Sequence, residues 1–331
     1  MEYSLCAEAL RLVCPSPSRK ARVTSILESL FSLTPLSRRD PGGMELLIHD
    51  LPEREVSGEL VFDAPGLTAI RTARGYHLRS AGSFLALDLR VGKAAGSLSD
   101  AFLASPPEDQ RGLFLFTFLL LLSARGLYAL HAGGTLWNGC GFLLAGGSGS
   151  GKTTLTCALT RSGWQYLSDD SVLLKRGAQG VEALAFGRPF HCAPAMFRHF
   201  PELAANGPKP LSGKRLVDVG RLYPGWLRSA LHPRFVLFPE IAATRFSRVV
   251  PLSCTEMLVR LLGEGAGLLH DRDSMAAQMA ILGELARSAR GYRLLHGADV
   301  HADPMRVAAL LQKLAKSESE GDYTDALYSA A

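Results

Sequence analysis

The chain has 331 residues, of which 47% are hydrophobic and 20% are charged, and its formal net charge is +5 at pH 7. This length allows two domains, and the composition is typical of a soluble globular protein rather than a disordered or fibrous one. The six cysteines form no CxxC pair and no dense run of lysine and arginine occurs, so the sequence argues against a zinc site, a disulfide framework and nucleic-acid binding.

Two features argue against export and membrane insertion. The N-terminal segment MEYSLCAEAL carries Glu2 and Glu8 where a signal peptide would carry basic residues. The strongest apolar run, Leu113–Leu122, is too short to span a bilayer and predicts a buried helix. We therefore expect a cytoplasmic protein that has no membrane partner.

Residues 1–125 form the first predicted domain, a helix followed by a β-rich unit. Apolar residues between positions 23 and 31 repeat at the spacing of one helix face. Short apolar segments separated by Gly, Pro and Asp then predict a mostly antiparallel sheet. These segments are MELLIHDL, GELVFDA, GLTAIRTA, GYHLRSA and SFLALDLRV. Residues 98–124 are helical in character.

Residues 126–316 form the second predicted domain, in which strands alternate with helices as in an α/β sheet. The predicted strands are Tyr128–Ala132, Gly141–Ala145, Gln165–Leu167, Ser171–Lys175, Phe235–Phe238 and Tyr292–Leu295. The predicted helices are Lys152–Ser162, a helix that a capping box at Ser253 and Glu256 opens, Ala276–Arg287 and Pro304–Lys316. The acidic segment 317–331 is predicted to be disordered.

The segment Gly146–Thr153 fits the pattern G-x-x-x-x-G-K-[ST] without deviation, between an apolar strand and a helix. Backbone N–H groups of such a loop surround phosphate oxygens, and the following helix directs its dipole at the same anion. Lys152 can reach the β- and γ-phosphates, and Thr153 can offer its hydroxyl to Mg²⁺. We predict that the nucleotide is bound by Gly146, Gly147, Ser148, Gly149, Ser150, Gly151, Lys152, Thr153 and Thr154. Guanine-recognition and transporter-ATPase signatures are missing, which argues against a GTPase and against a transporter-type ATPase.

Two carboxylates follow the next predicted strand. That strand would bring Asp169 and Asp170 to the edge of the sheet beside the phosphate loop. One carboxylate could hold Mg²⁺ while the other accepts a proton from the attacking hydroxyl. A solvated turn or a helix cap is the alternative. His131 lies one strand before the loop and could meet an aspartate, or it could be a structural histidine.

These elements, in this order, resemble the HPr kinase/phosphorylase family. The matching segments are Leu130-His131-Ala-Gly-Gly134, Gly146–Thr153 and Gly163-Trp-Gln-Tyr-Leu-Ser-Asp169-Asp170, so that the resemblance covers residues 127–176. The layout is also similar to HPr-kinase-related proteins of peptide-modification systems, including kinases of lasso peptide precursors. The resemblance implies a P-loop kinase sheet of the HPr kinase/PEP carboxykinase-like type, ATP and Mg²⁺ as cofactors, and a serine of a peptide or protein as acceptor.

The resemblance also implies roles for single residues. It gives Asp169, Asp170, His131 and Lys152 to catalysis, and Thr153 with Asp170 to the metal. Which aspartate is the base and which holds the metal stays open.

Two stretches beyond this match leave alternatives open. The Arg-Gly-x-Gly segment that the family links to dephosphorylation is missing from residues 186–194, so we expect neither phosphorylase activity nor HPr as substrate. Arg188 and His191 either line the acceptor pocket or pack locally, and Lys214 and Arg215 are a second basic candidate.

A small-metabolite kinase and a nucleotide-binding regulatory module with little turnover are the alternative functions. The oligomeric state is open, a homo-oligomer included.

Overall fold

The computed structural model shows a mixed α/β protein with several sheets. It describes residues 2–319, except 7, 32, 38, 39, 41, 51, 187, 188, 206–214 and 266–271. The chain divides into two compact units. One comprises Met1–Tyr128 and Leu268–Met275, and the other comprises Ala129–Gly267 and Ala276–Ala331.

The first unit is built on one mixed sheet, whose strand order is β3-β1-β2-β4-β9-β8-β7-β6-β5. The strands are Glu2–Leu5 (β1), Glu8–Val13 (β2), Thr34–Pro35 (β3), Met44–Ile48 (β4), Glu59–Ala64 (β5), Leu67–Arg71 (β6), Gly75–Ser80 (β7), Ser83–Asp88 (β8) and Lys93–Ser97 (β9). The segments predicted from sequence, β4 to β8, are confirmed. The sheet is mostly antiparallel, as predicted, and the exceptions among the described pairings are β4 with β2 and β4 with β9, which run parallel.

The helices of this unit are Pro17–Leu30 (α1), Asp100–Ala104 (α2) and Pro107–Ser123 (α3). The side chain of Ser16 caps α1 by accepting from the backbone N–H of Arg19, and the apolar face of the helix is buried. The apolar run predicted to form a buried helix lies in α3, and its Phe118 ring packs edge-on against Phe31 at 5.2 Å. Among the described residues no helix combines the length and the apolarity needed to cross a membrane.

The remaining strands lie from residue 128 onward. They are Tyr128–Leu130 (β10), Ala132–Trp137 (β11), Cys140–Ala145 (β12), Gln165–Ser168 (β13), Val172–Gly177 (β14), Gly180–Ala185 (β15), Phe190–Cys192 (β16), Arg215–Val217 (β17), Ala230–Leu231 (β18), Pro233–Ile241 (β19), Arg248–Leu252 (β20) and Arg290–His296 (β21). Every strand predicted in this region is present. The predicted strand Tyr128–Ala132 is divided at His131, which lies between β10 and β11.

The α-helices of this part are Lys152–Arg161 (α4), Val219–Leu222 (α5), Cys254–Glu264 (α6), Arg272–Ser288 (α7), Asp299–Ala302 (α8) and Pro304–Ser319 (α9), and 3₁₀ turns cover Pro194–Arg198 and Pro201–Ala205. The predicted capping box of α6 is present, since Ser253 and Glu256 exchange hydrogen bonds. Helix α9 continues to Ser319, which corrects the predicted disorder of residues 317–319. The rest of that predicted tail lies outside the described residues.

One sheet of the second unit positions the candidate site. Its strand order is β13-β11-β12-β19-β21-β20, and β12, β19 and β21 run parallel. Strand β11 is antiparallel to both β12 and β13, with Ala132 opposite Ala145 and Gly134 opposite Ser168. The carboxyl ends of β12 and β13 therefore lie at one edge, beside the beginning of β11. Below this edge, Phe142 and Phe235 stack in the core with their ring centroids 4.6 Å apart.

The other described sheets are smaller. One has the strand order β10-β14-β15-β18, and β16 pairs with β17 in an antiparallel ribbon.

Candidate active site

The phosphate-binding loop predicted from sequence connects β12 to α4. Gly149 and Gly151 have φ values of +86° and +95°, a left-handed conformation that glycine adopts without strain. The backbone N–H of Ser150 donates to the carbonyl of Gly147 at 3.2 Å, which closes the turn. Helix α4 begins directly after Gly151, so its N-terminus lies at the loop. This local geometry is suited to an anion.

The side chain of Lys152 lies against the loop. It is only 5% exposed, and its ammonium donates to the carbonyl of Gly146 and, at 3.1 Å, to that of Gly147. Ser148 and Gly149 are exposed at the top of the loop, while Thr153 and Thr154 are half-buried in the first turn of α4. The structure therefore places a cation and an open backbone turn together.

Asp169 contacts the residue that follows Lys152. Its carboxylate is buried and accepts a hydrogen bond from the Thr153 hydroxyl at 2.9 Å. The approach is close because β11 contains Gly133, where a Cβ atom would lie 3.1 Å from the carbonyl oxygens of Ser168 and Asp169. A side chain at that position would be in tight contact with these two carbonyls.

Asp170 has different contacts from its neighbour. Its side chain is 39% exposed, and its Oδ1 atom lies 2.8 Å from Nε2 of His131. The other ring nitrogen of His131 lies 3.4 Å from Oε2 of Glu264, and the backbone N–H of His131 donates to the Glu264 carbonyl at 3.0 Å. The imidazole is therefore fixed between two carboxylates, one from each side.

Two residues of this region were not predicted from the sequence. Glu264 is the last residue of α6. His296 ends β21 and is buried, and its Nε2 atom lies 3.0 Å from the carbonyl of Ser150. A Cβ atom at Gly151 would overlap the His296 ring. The position of His296 directly after a predicted strand was the available signal, since sites of α/β sheets lie at strand ends.

A buried thiol pair connects α4 to β16. Cys157 of α4 and Cys192 of β16 are both fully buried. The hydrogen bond with Cys192, together with burial, raises the pKa of the Cys157 thiol well above its ordinary value. Both effects disfavour the thiolate, so this thiol stays protonated and acts as a packing group.

The other basic candidates are not brought to the loop by any described contact. Arg188 and Lys214 lie outside the described residues. Arg215 packs its guanidinium 5.0 Å from the ring centre of Phe197 and donates to the carbonyl of Ala204 at 2.7 Å. His191 lies in β16 opposite Leu216. Within the described residues no group of three or more His, Cys, Asp or Glu side chains has the arrangement of a metal site.

Comparisons with known proteins do not identify a family for this chain. No family model matches the chain, and no curated protein does. Among solved structures, the Hpr(Ser) kinase/phosphatase from Coxiella burnetii is similar over 58% of this chain and 98% of its own, with 14% sequence identity and a TM-score of 0.31. A likeness at this level says nothing about activity. The resemblance to the HPr kinase/phosphorylase family stays a prediction from the sequence motifs.

Proposed function

We propose that this protein is an ATP-dependent kinase that transfers the γ-phosphoryl group to a hydroxyl, namely a serine of a peptide or protein. The observation that supports it most is the division of contacts between two neighbouring carboxylates. Asp169 is bonded to the phosphate-loop hydroxyl of Thr153, and Asp170 is bonded to His131. If Asp169 and Asp170 only formed a solvated turn or a helix cap, their carboxylates would not need separate partners of this kind.

The residues present fit ATP and Mg²⁺. The left-handed glycines leave the loop backbone open to phosphate oxygens, and Lys152 supplies a positive charge beside them. Mg²⁺ prefers oxygen ligands and is commonly held by one or two protein groups plus phosphates. The Thr153 hydroxyl and the Asp169 carboxylate are such groups. When bound, Mg²⁺ would neutralise charge on the β- and γ-phosphates.

The proposed roles of the two aspartates follow from their contacts. We assign Asp169 with Thr153 to the metal and Asp170 to proton acceptance, which differs from the pairing of Thr153 with Asp170 that the resemblance implies. Asp170 is partly exposed, which suits a group that accepts a proton from an incoming hydroxyl, whereas Asp169 is buried and bonded to the Thr153 hydroxyl. His131 orients Asp170, and Glu264 fixes the other side of the imidazole.

A transfer assay with γ-labelled ATP tests this proposal. The acceptors are a set of serine-containing peptides, the same peptides with alanine in place of serine, and free serine. The Asp170→Asn variant is compared with Asp109→Asn, which changes an exposed carboxylate of the other unit. We expect label on serine peptides only, loss of transfer in Asp170→Asn and normal transfer in Asp109→Asn.

Each other outcome points to a different function. Labelling of free serine at the rate of the peptides would indicate a metabolite kinase. Tight ATP binding without transfer to any acceptor would indicate a regulatory module. Unchanged transfer in Asp170→Asn would contradict the proposed mechanism.

A further inference from the structure

Two loops lie at the same sheet edge as the phosphate loop. Strands β12, β19 and β21 are parallel neighbours, so the segments that follow them share that edge. The phosphate loop follows β12, residues 242–247 follow β19, and residues 297–303 follow β21. His296, at the end of β21, contacts the phosphate loop through the carbonyl of Ser150 at 3.0 Å.

Hydrogen bonds join these two loops to each other. The backbone N–H of Ala298 donates to the carbonyl of Thr244 at 3.0 Å. The buried carboxylate of Asp299 accepts from the backbone N–H of Ser247 at 2.8 Å and from its hydroxyl at 2.6 Å. Loops tied in this way hold their exposed side chains in a defined position, which lowers the entropy lost when a ligand binds.

The linked loops present an exposed aromatic ring beside two cations. Phe246 is 43% exposed. The guanidinium carbon of Arg306 lies 3.8 Å from the centre of its ring, and that of Arg245 lies 5.0 Å away. Asp299 lies 4.0 Å from the Arg306 guanidinium, whereas Arg245 has no carboxylate partner within the described part of the chain. Asp299 thus helps to hold Arg306 over the ring, whereas no described carboxylate fixes Arg245.

The geometry points to this cluster of Arg245, Phe246 and Arg306 as the site that binds the nucleobase of the nucleotide, a role that rests on the proposed function. A planar base stacks on an aromatic ring or on a guanidinium plane, and every base offers such a face. A ligand held by its phosphates at Gly146–Thr153 has its base beyond the phosphates, and the cluster is connected to the loop through His296. Positive charge on the arginines also suits a polyanionic ligand.

Comparison of ATP with inorganic tripolyphosphate isolates the contribution of the base, because both ligands carry three phosphates. Affinities are measured by calorimetry in the presence of Mg²⁺ for the wild type, Phe246→Ala, Phe246→Trp and the control Leu227→Ala. The control removes an apolar side chain of the same unit that is 50% exposed, close to the 43% of Phe246. We expect Phe246→Ala to weaken ATP binding about tenfold and to leave tripolyphosphate binding unchanged. Phe246→Trp and Leu227→Ala should bind ATP as the wild type does.

Unchanged tripolyphosphate binding also shows that Phe246→Ala is folded. If Phe246→Ala binds ATP as tightly as the wild type, or if the wild type binds both ligands equally, the base does not use this cluster and the inference is wrong, while the proposed kinase is unaffected. If the wild type binds neither ligand, the proposed function fails and the inference fails with it.

Discussion

The Nε2 atom of His131 lies 2.8 Å from Oδ1 of Asp170, while Nδ1 of the same ring lies 3.4 Å from Glu264. Removal of the ring would release the Asp170 carboxylate from its fixed position. We expect His131→Ala to lower the rate of phosphoryl transfer by about 10- to 100-fold, because small misplacements of a reacting group have costs of this order. ATP affinity should be unchanged. His232→Ala, at an exposed position of the same unit, is the control and should retain full transfer.

Lys152 provides a second prediction. Its ammonium is buried against the carbonyls of Gly146 and Gly147, at the position where phosphate oxygens would lie. We expect Lys152→Ala to weaken ATP binding by about 10- to 100-fold, since a hydrogen bond to a charged group is worth about 1.5–3 kcal/mol. Calorimetric titration measures the effect, and Lys313→Ala on the exposed side of α9 is the matched control. Equal ATP affinity in both variants would contradict the role of Lys152.

The two left-handed glycines of the loop should differ in their tolerance of alanine. At Gly149 a Cβ atom meets open space, so Gly149→Ala should lower the free energy of unfolding by about 1–2 kcal/mol from backbone strain alone. At Gly151 the added atom also overlaps His296, and we expect a further loss of about 1–3 kcal/mol. Urea denaturation measures both. The double variant Gly151→Ala, His296→Ala should recover part of the additional loss, and the absence of any recovery would contradict the predicted overlap.

His301 leads to a prediction of pH dependence. Burial, followed by the nearby His199 and His296, lowers the pKa of His301 from its ordinary value of 6.5. Below pH 6.5 the imidazole becomes protonated in the unfolded chain, whereas in the folded protein it stays neutral until the pH reaches the lowered pKa. The neutral imidazole therefore contributes its full stability above pH 6.5, and this contribution is lost as the pH falls through the lowered pKa. We expect the unfolding free energy to fall as the pH drops below 6.5.

The His301→Phe variant tests this assignment. The imidazole stacks on His199 with ring centroids 4.2 Å apart, and a phenyl ring preserves that stacking without a titrating group. The loss of stability toward acid should therefore be smaller in His301→Phe than in the wild type. A control variant, His232→Gln, should keep the wild-type slope. An identical slope in His301→Phe would show that other groups cause the pH dependence.

The parts of the candidate site that are local in sequence could be predicted. The strand, the glycine loop and α4 lie within residues 140–161, and the pattern G-x-x-x-x-G-K-[ST] fixes their order and their conformation. The short strand before Asp169 was also predicted, because apolar residues bounded by turn residues indicate a strand.

Contacts between distant segments could not be predicted. Strand β11 lies between β12 and β13, and this order depends on pairings that the chain order does not reveal. His296 and Ser150 are 146 positions apart, and Glu264 reaches His131 only because α6 ends at that edge of the sheet. In the first unit, β1 and β2 are joined through Cys6, whose φ is +56°. Cysteine rarely adopts this conformation, and no typical turn residue in the sequence predicted it.

The most direct test of the proposed account is the Mg²⁺ dependence of phosphoryl transfer in Asp169→Asn and Asp170→Asn, measured at saturating ATP. Asn at position 169 can still accept from Thr153 but carries no charge for a metal, so we expect this variant to need roughly 10- to 100-fold more Mg²⁺ for half-maximal transfer. Asp170→Asn should keep the wild-type Mg²⁺ requirement and lose about 100-fold or more in rate. Wild-type transfer in both variants, or an equal change in Mg²⁺ requirement in both, would contradict the separate roles of the two carboxylates.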